Sequence, residues 1–192
     1  MSEAFYILFA VTILSLTGWL DDMLSKLHIS KTPFIILTAL MLIICSYKAD
    51  ICGIAFSPAS FLLFALPLAF ELVSRKTSVF AWFAVSSVML IFLYAALFIF
   101  PSADIVVLMI ALGGVCAALP FSGLFALSVC TTVPFLTYLL SLFGDYFFYM
   151  ANNTPSCETV FLSQLASAVT ALSVCYAKSA VISYRKQHAL RH

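Results

Sequence analysis

Apolar runs and short polar punctuation alternate along the whole chain, and the longest run sets the pattern. Between Asp104 and Asp145 lie 40 residues, Ile105 to Gly144, with no charged side chain. At about 1.5 Å per residue a helix of that length reaches roughly 60 Å, twice the hydrocarbon core of a bilayer. It cannot be one span. Leu119-Pro120-Phe121-Ser122-Gly123 supplies the break, because proline stops a helix and glycine permits the turn. The stretch therefore predicts a hairpin of two membrane helices, 105–119 and 123–144.

The same reading along the rest of the chain predicts five more spans. The first, 4–20, is stopped by Asp21 and Asp22, with Trp19 as an interfacial aromatic. Leucines at 20, 24 and 27 then mark a short amphipathic turn at the membrane surface. Thr32-Pro33 opens a second span, 33–47, with proline suited to a first helical turn. The third, 51–73, carries Pro58 and Pro67 and is expected to be kinked or broken. The fourth, 78–100, has the cleanest helical pattern. After the hairpin and the polar loop 151–156, a seventh span covers 157–177 and continues as a helix into a short basic tail, 178–192.

The fold class expected is an all-α, polytopic transmembrane helix bundle forming one integral membrane domain. Basic residues fix its expected orientation, since they favour the cytoplasmic side of short loops. Seven spans with the N-terminus outside and the C-terminus inside place eight of nine lysines and arginines inside, leaving only Lys48 outside. Six spans is the fallback, should span two or three re-enter.

Composition agrees. Of 192 residues 64% are hydrophobic and 9% charged, against about a quarter charged in soluble domains. The net charge of +1 and the absence of a basic, aromatic-interleaved patch give no support for nucleic-acid binding. The first residues carry Glu3 rather than a basic cluster, so the N-terminus reads as a retained helix rather than a cleaved signal. Six cysteines are scattered without C-x-x-C or Cys/His ligand spacing, so neither a metal site nor a cofactor is expected. In this topology Cys45, Cys52 and Cys157 fall near the outer face, where a disulfide would require an oxidising compartment; free buried thiols are the ordinary alternative. Asn152-Asn153-Thr154 is a formal glycosylation sequon that Pro155 weakens.

Three enzyme classes fail on chemistry. Asp21 and Asp22 with His28 are the densest ionisable cluster, but adjacent residues point in different directions on a helix, and metal-dependent headgroup or prenyl transferases need several aspartates at helical spacing. A paired-aspartate intramembrane protease needs two carboxylates sharing a proton, whereas the expected topology puts Asp21 and Asp22 on one side and Asp145 on the other. Ser122 lacks a base, since His28, His188 and His192 all lie outside the spans. No catalytic residue is assigned.

What remains is a solute path or helix packing. Glu71 is the acid placed within the hydrophobic limits, though Arg75 four residues on offers a simple pairing. Span seven repeats Ser163, Ser167, Ala171 and Cys175 every four residues, flanked by Thr170 and containing Gln164. Gly113 and Gly114 in span five, with Ser163 and Ala171, read as close-packing positions. Gln164, Ser167 and Thr170, together with Glu71, Thr131, Thr132 and Pro134, are the candidates for a solute path.

Prolines in spans three and six, the middle members of two oppositely directed triplets, fit a 1+3+3 inverted-repeat layout, in which broken helices build a midplane site. The chain is accordingly expected to act as a small-solute or ion transporter, or a membrane-embedded transport subunit, in the cell membrane, most simply a bacterial cytoplasmic membrane. The alternative is a non-catalytic membrane partner or assembly subunit, whose partners are the bilayer and another membrane protein or a second copy. No family motif is complete enough to name a resemblance.

Overall fold

The structure, a computed structural model, describes residues 3–26, 30–51, 54–74, 78–100, 102–119, 122–148 and 155–189, with the backbone alone at 26, 51, 54, 70–74, 143–148 and 186–189. Eight helices and one small hairpin make up the described chain: α1 (Glu3–Leu16), α2 (Asp21–Lys26), α3 (Lys31–Ile44), β1 (Ala49–Ile51), β2 (Ile54–Phe56), α4 (Pro58–Ser74), α5 (Val79–Ile99), α6 (Ile105–Ala118), α7 (Gly123–Phe148) and α8 (Cys157–Ala189). The fold is all-helical apart from that hairpin.

Helix ends follow local chemistry. Ser78 caps α5 by accepting from Ala81 N at 3.1 Å, and Asp104 caps α6 by accepting from Val106 N at 2.8 Å. At the end of α6, Leu119 is extended (φ −63°, ψ 159°), as sterics require before Pro120. Ser122 then caps α7 through Phe125 N at 3.1 Å. The break in the 40-residue apolar run thus falls between 118 and 123, with Ser122 as a helix cap. Gly18, at φ +85°, turns the chain between α1 and α2.

Among the described residues, three helices are long and apolar enough to cross a membrane: Val79–Ile99, Gly123–Leu142 within α7, and Cys157–Arg185 within α8. The helices at the other four expected spans are shorter. α1, α3 and α6 have 14 residues each, about 21 Å of rise.

Two expectations are corrected. The third span does not begin at 51, because residues 49–56 pair as antiparallel strands, Ala49 opposite Phe56 and Asp50 opposite Ala55. Helix α4 starts only at Pro58, where the missing N–H costs nothing, and Ser57 takes the preceding position. Pro58 is therefore a helix start rather than a mid-span break. Nor are the other prolines breaks: α4 runs through Pro67 and α7 through Pro134.

Packing centres on α8, which lies against α1, α4, α6 and α7. One apolar cluster gathers Met89, Leu93, Met109, Phe125, Val129 and Ala171 from α5 to α8. A second joins α1, α3, α4 and the first turns of α8 through Leu8, Met41, Ala59, Phe161 and Leu165. The amphipathic segment after α1 is helical, as the leucine spacing predicts, but Leu24 is buried in the protein rather than free to lie in an interface. Helix α5 buries only a stripe, Ser86, Met89 and Leu93, and exposes Phe80, Phe83, Ile91, Phe92 and Phe98.

Candidate functional site

Between the two apolar clusters sits a polar layer built from α4, α7 and α8, and Gln164 is its hub. The side chain of Gln164 is 0% exposed. Its Oε1 accepts from Ser60 Oγ at 2.5 Å, while its Nε2 donates to Thr131 O at 2.8 Å and Ser60 O at 3.3 Å. Both amide hydrogens and the carbonyl oxygen are therefore engaged, as a buried amide requires.

One turn along α8, Ser167 donates to Cys130 O at 3.0 Å and to its own Gln164 O at 3.0 Å. The first contact has a clear cause in the sequence. Proline at 134 has no N–H to give the carbonyl four residues earlier, which is that of Cys130. A hydroxyl from the neighbouring helix takes its place. This exchange lets α7 continue through a buried proline.

The threonine hydroxyls of α7 turn inward on their own helix. Thr131 Oγ1 donates to Leu127 O and Ser128 O, Thr132 Oγ1 to Ser128 O at 2.6 Å, and Thr137 Oγ1 to Val133 O at 2.8 Å. Of the sequence candidates, then, Thr131, Gln164 and Ser167 meet directly, and buried Pro134 frees the carbonyl that joins them. Thr132 is fully buried but faces its own backbone. Thr170 is half-buried and bonds Ala166 O. Glu71 lies in α4 with its side chain outside the described residues, as is the whole of Arg75, so their expected pairing is outside the description.

The packing candidates occupy the α6–α8 contact. A Cβ added at Gly113 would lie 2.8 Å from Ser167 O and 3.2 Å from Ser167 Cα, a backbone-to-backbone approach that only glycine permits. At Gly114 the nearest atom would be Thr170 Cγ2, at an ordinary 3.8 Å. Ala171 and Ser163 are both buried, the latter donating to Thr159 O. Lys178 closes the other end of this contact by donating to Leu119 O at 2.6 Å, a cation on the C-terminus of α6.

Elsewhere the polar groups tie elements together. Asp21 pairs with Lys31 at 2.9 Å, and Asp22 accepts from Tyr176 OH at 2.6 Å, so the acidic pair faces two different partners. His28 is outside the described residues. Tyr138 OH donates to Ala55 O at 2.5 Å, holding the hairpin on α7. Lys48 pairs with Glu158 at 2.6 Å, and that hydrogen bond holds the Lys48 ammonium above its ordinary range. Cys45 and Cys157 are free thiols lining the same hollow beside this ion pair; Cys52 and the sequon Asn152-Asn153-Thr154 lie outside the described residues.

Two hollows of about 10 Å³ each, room for about one water, lie beside the Lys48–Glu158 pair and next to Cys130 and Ser167 of the polar layer. Among the described residues no group of three or more His, Cys, Asp or Glu side chains could hold a metal ion.

Sequence reasoning missed Ser60, which supplies both a donor and an acceptor to Gln164. Its signal is weak: a serine in the first turn of a helix reads as a cap, and only the packing of α4 on α8 turns it inward. No family model, curated protein or solved structure matches the chain.

Proposed function

We propose that the chain is a multi-pass membrane protein that moves a small solute or ion, with the Gln164 cluster as its solute contact, here closed on itself. The observation carrying this reading is that Thr131, Gln164 and Ser167 converge where Pro134, inside continuous α7, leaves the Cys130 carbonyl without its helical donor. A buried amide and backbone carbonyls that are already paired with side chains can exchange those partners for a solute. Seven spans, N-out and C-in, remain the layout under which eight of the nine basic residues fall on one side.

The test is thermal stability in detergent across a panel of monovalent ions, amino acids and sugars, since a ligand of the folded state raises the melting temperature. A stabilising solute should lose its effect in Gln164→Leu and should be taken up by proteoliposomes containing the wild type. A panel without stabilisation or uptake sinks the proposal.

A second reading, a non-catalytic membrane partner, draws on one specific observation. The cluster's polar groups are satisfied within the protein, and the adjoining hollow holds about one water. Under this reading Gln164 and Ser167 fix helix register, and a stoichiometric second protein should co-purify in mild detergent.

A further inference from the structure

The hollow between α5, α6, α7 and α8 is rich in sulfur. Met89, Met109, Cys116 and Cys130 all line it, and each is buried. Cys116 and Cys130 face the hollow from adjacent helices, with the Cys130 thiol 3.9 Å from Gly113 O, and Cys175 of α8 belongs to the surrounding apolar cluster. Three different helices, α5, α6 and α7, thus bring soft donors to one place. Cys130 is also the residue whose carbonyl Pro134 frees, so the pocket adjoins the Ser167 contact.

We propose that this hollow binds one monovalent soft cation of the Cu⁺ or Ag⁺ class through the Cys116–Cys130 pair, completed by methionine thioether. Thiolate and thioether sulfur select such ions, whereas hard cations need several oxygen ligands; the one side-chain oxygen at this hollow, that of Ser167, is already bonded to Cys130 O and Gln164 O. No three of the described Cys, His, Asp or Glu side chains converge as a metal site, which disfavours a four-coordinate Zn²⁺ centre. A monovalent soft ion is satisfied by two or three sulfurs.

Charge favours the same choice. One thiol loses its proton to solvent, a metal–sulfur bond forms, and no electron is transferred. The second thiol and the thioethers remain neutral donors. The product, one cation on one thiolate, carries no net charge, which a dry interior tolerates; a divalent ion on one thiolate does not. The volume, about 10 Å³, suits a single bare ion.

The experiment uses the full chain in detergent, reduced and kept anaerobic, in a Cys45→Ser/Cys52→Ser/Cys157→Ser background that leaves the three cluster cysteines. Silver nitrate in chloride-free buffer and Cu⁺ buffered by a competing chelator are the probes, read by native mass spectrometry, proton release and melting temperature. The expected result is one ion per chain, one proton released and a raised melting temperature. Both Cys116→Ala and Cys130→Ala should abolish this binding, and Met89→Leu/Met109→Leu should weaken it about tenfold, as loss of neutral donors does. The methionine variant preserves volume, so it decides the matter even if a cysteine variant misfolds. Unchanged affinity in the methionine variant, retention of the ion after Cys130→Ala, failure to compete with the chelator, or equal affinity for Zn²⁺ would each overturn the site. It does not rest on transport: ion binding without flux removes the transport proposal and leaves this one standing.

Discussion

Two triplets of helices, α3–α4–α5 and α6–α7–α8, carry a proline in the middle member of each, yet they pack differently. In the second triplet every helix lies against the other two. In the first, α4 turns to α7 and α8, and α5 makes its main contacts with α6 and α7. The chemistry at the contacts separates them. The α6–α7–α8 contacts hold Gly113 against Ser167 and the Pro134-freed Cys130 carbonyl against a hydroxyl. On α4, Pro67 frees the carbonyl of Leu63, whose side chain belongs to an apolar cluster with Ala59 and Leu165. Matching prolines do not make matching halves; what faces the freed carbonyl decides how tightly the helix is held.

The most damaging test of this contrast is Gly113→Ala. Its methyl would collide with the backbone of α8, so a loss of about 1–3 kcal/mol is expected from forced separation. An unchanged melting temperature would show that the two helices are not held at that distance.

Gln164→Leu keeps volume but leaves the Ser60 hydroxyl and the Thr131 carbonyl without their buried partner. About 1–3 kcal/mol should be lost, and Ser60→Ala added to it should cost less than it does alone, as expected of a coupled pair. Additivity in the double-mutant cycle would contradict the network.

The prolines give a sign and a ranking. Pro67→Ala restores a donor to Leu63 O and should stabilise, by less than the ~3 kcal/mol propensity difference. Pro134→Ala should gain less, because Ser167 already serves Cys130 O. Equal gains at both sites would erase the distinction between the two helices. The smallest effect is reserved for Gly114→Ala, one residue from the most damaging change: with 3.8 Å of clearance it should be neutral or stabilising by up to about 1 kcal/mol.

Much of this contrast could be read in the chain beforehand, at particular residues. The break at Leu119–Gly123 and the short helical segment after the first span follow from local steric and patterning rules. The small residues of α6 and the polar ones of α8 showed which faces could approach closely. Local rules could not show that residues 49–56 pair as strands, because that short apolar run fits a strand as well as a helix. Nor could they show Ser60 reaching Gln164, 104 positions away, or cysteines from two helices meeting at one hollow. Those depend on which helices become neighbours, and spacing within a segment carries no record of it.

The length of α8 has a mechanical consequence. Its 33 residues form one continuous rod of about 50 Å, longer than a bilayer's hydrocarbon core. Gln164 sits near one end of that rod, with Arg185 and Lys186 about 32 Å away and the last residue, Ala189, about 38 Å away by helical rise. With Gln164 as fulcrum, a tilt of about 10° swings the far tip by roughly 7 Å over that length. A lever of this ratio would turn a partner exchange at one buried amide into a displacement large enough to be felt at the end of the helix.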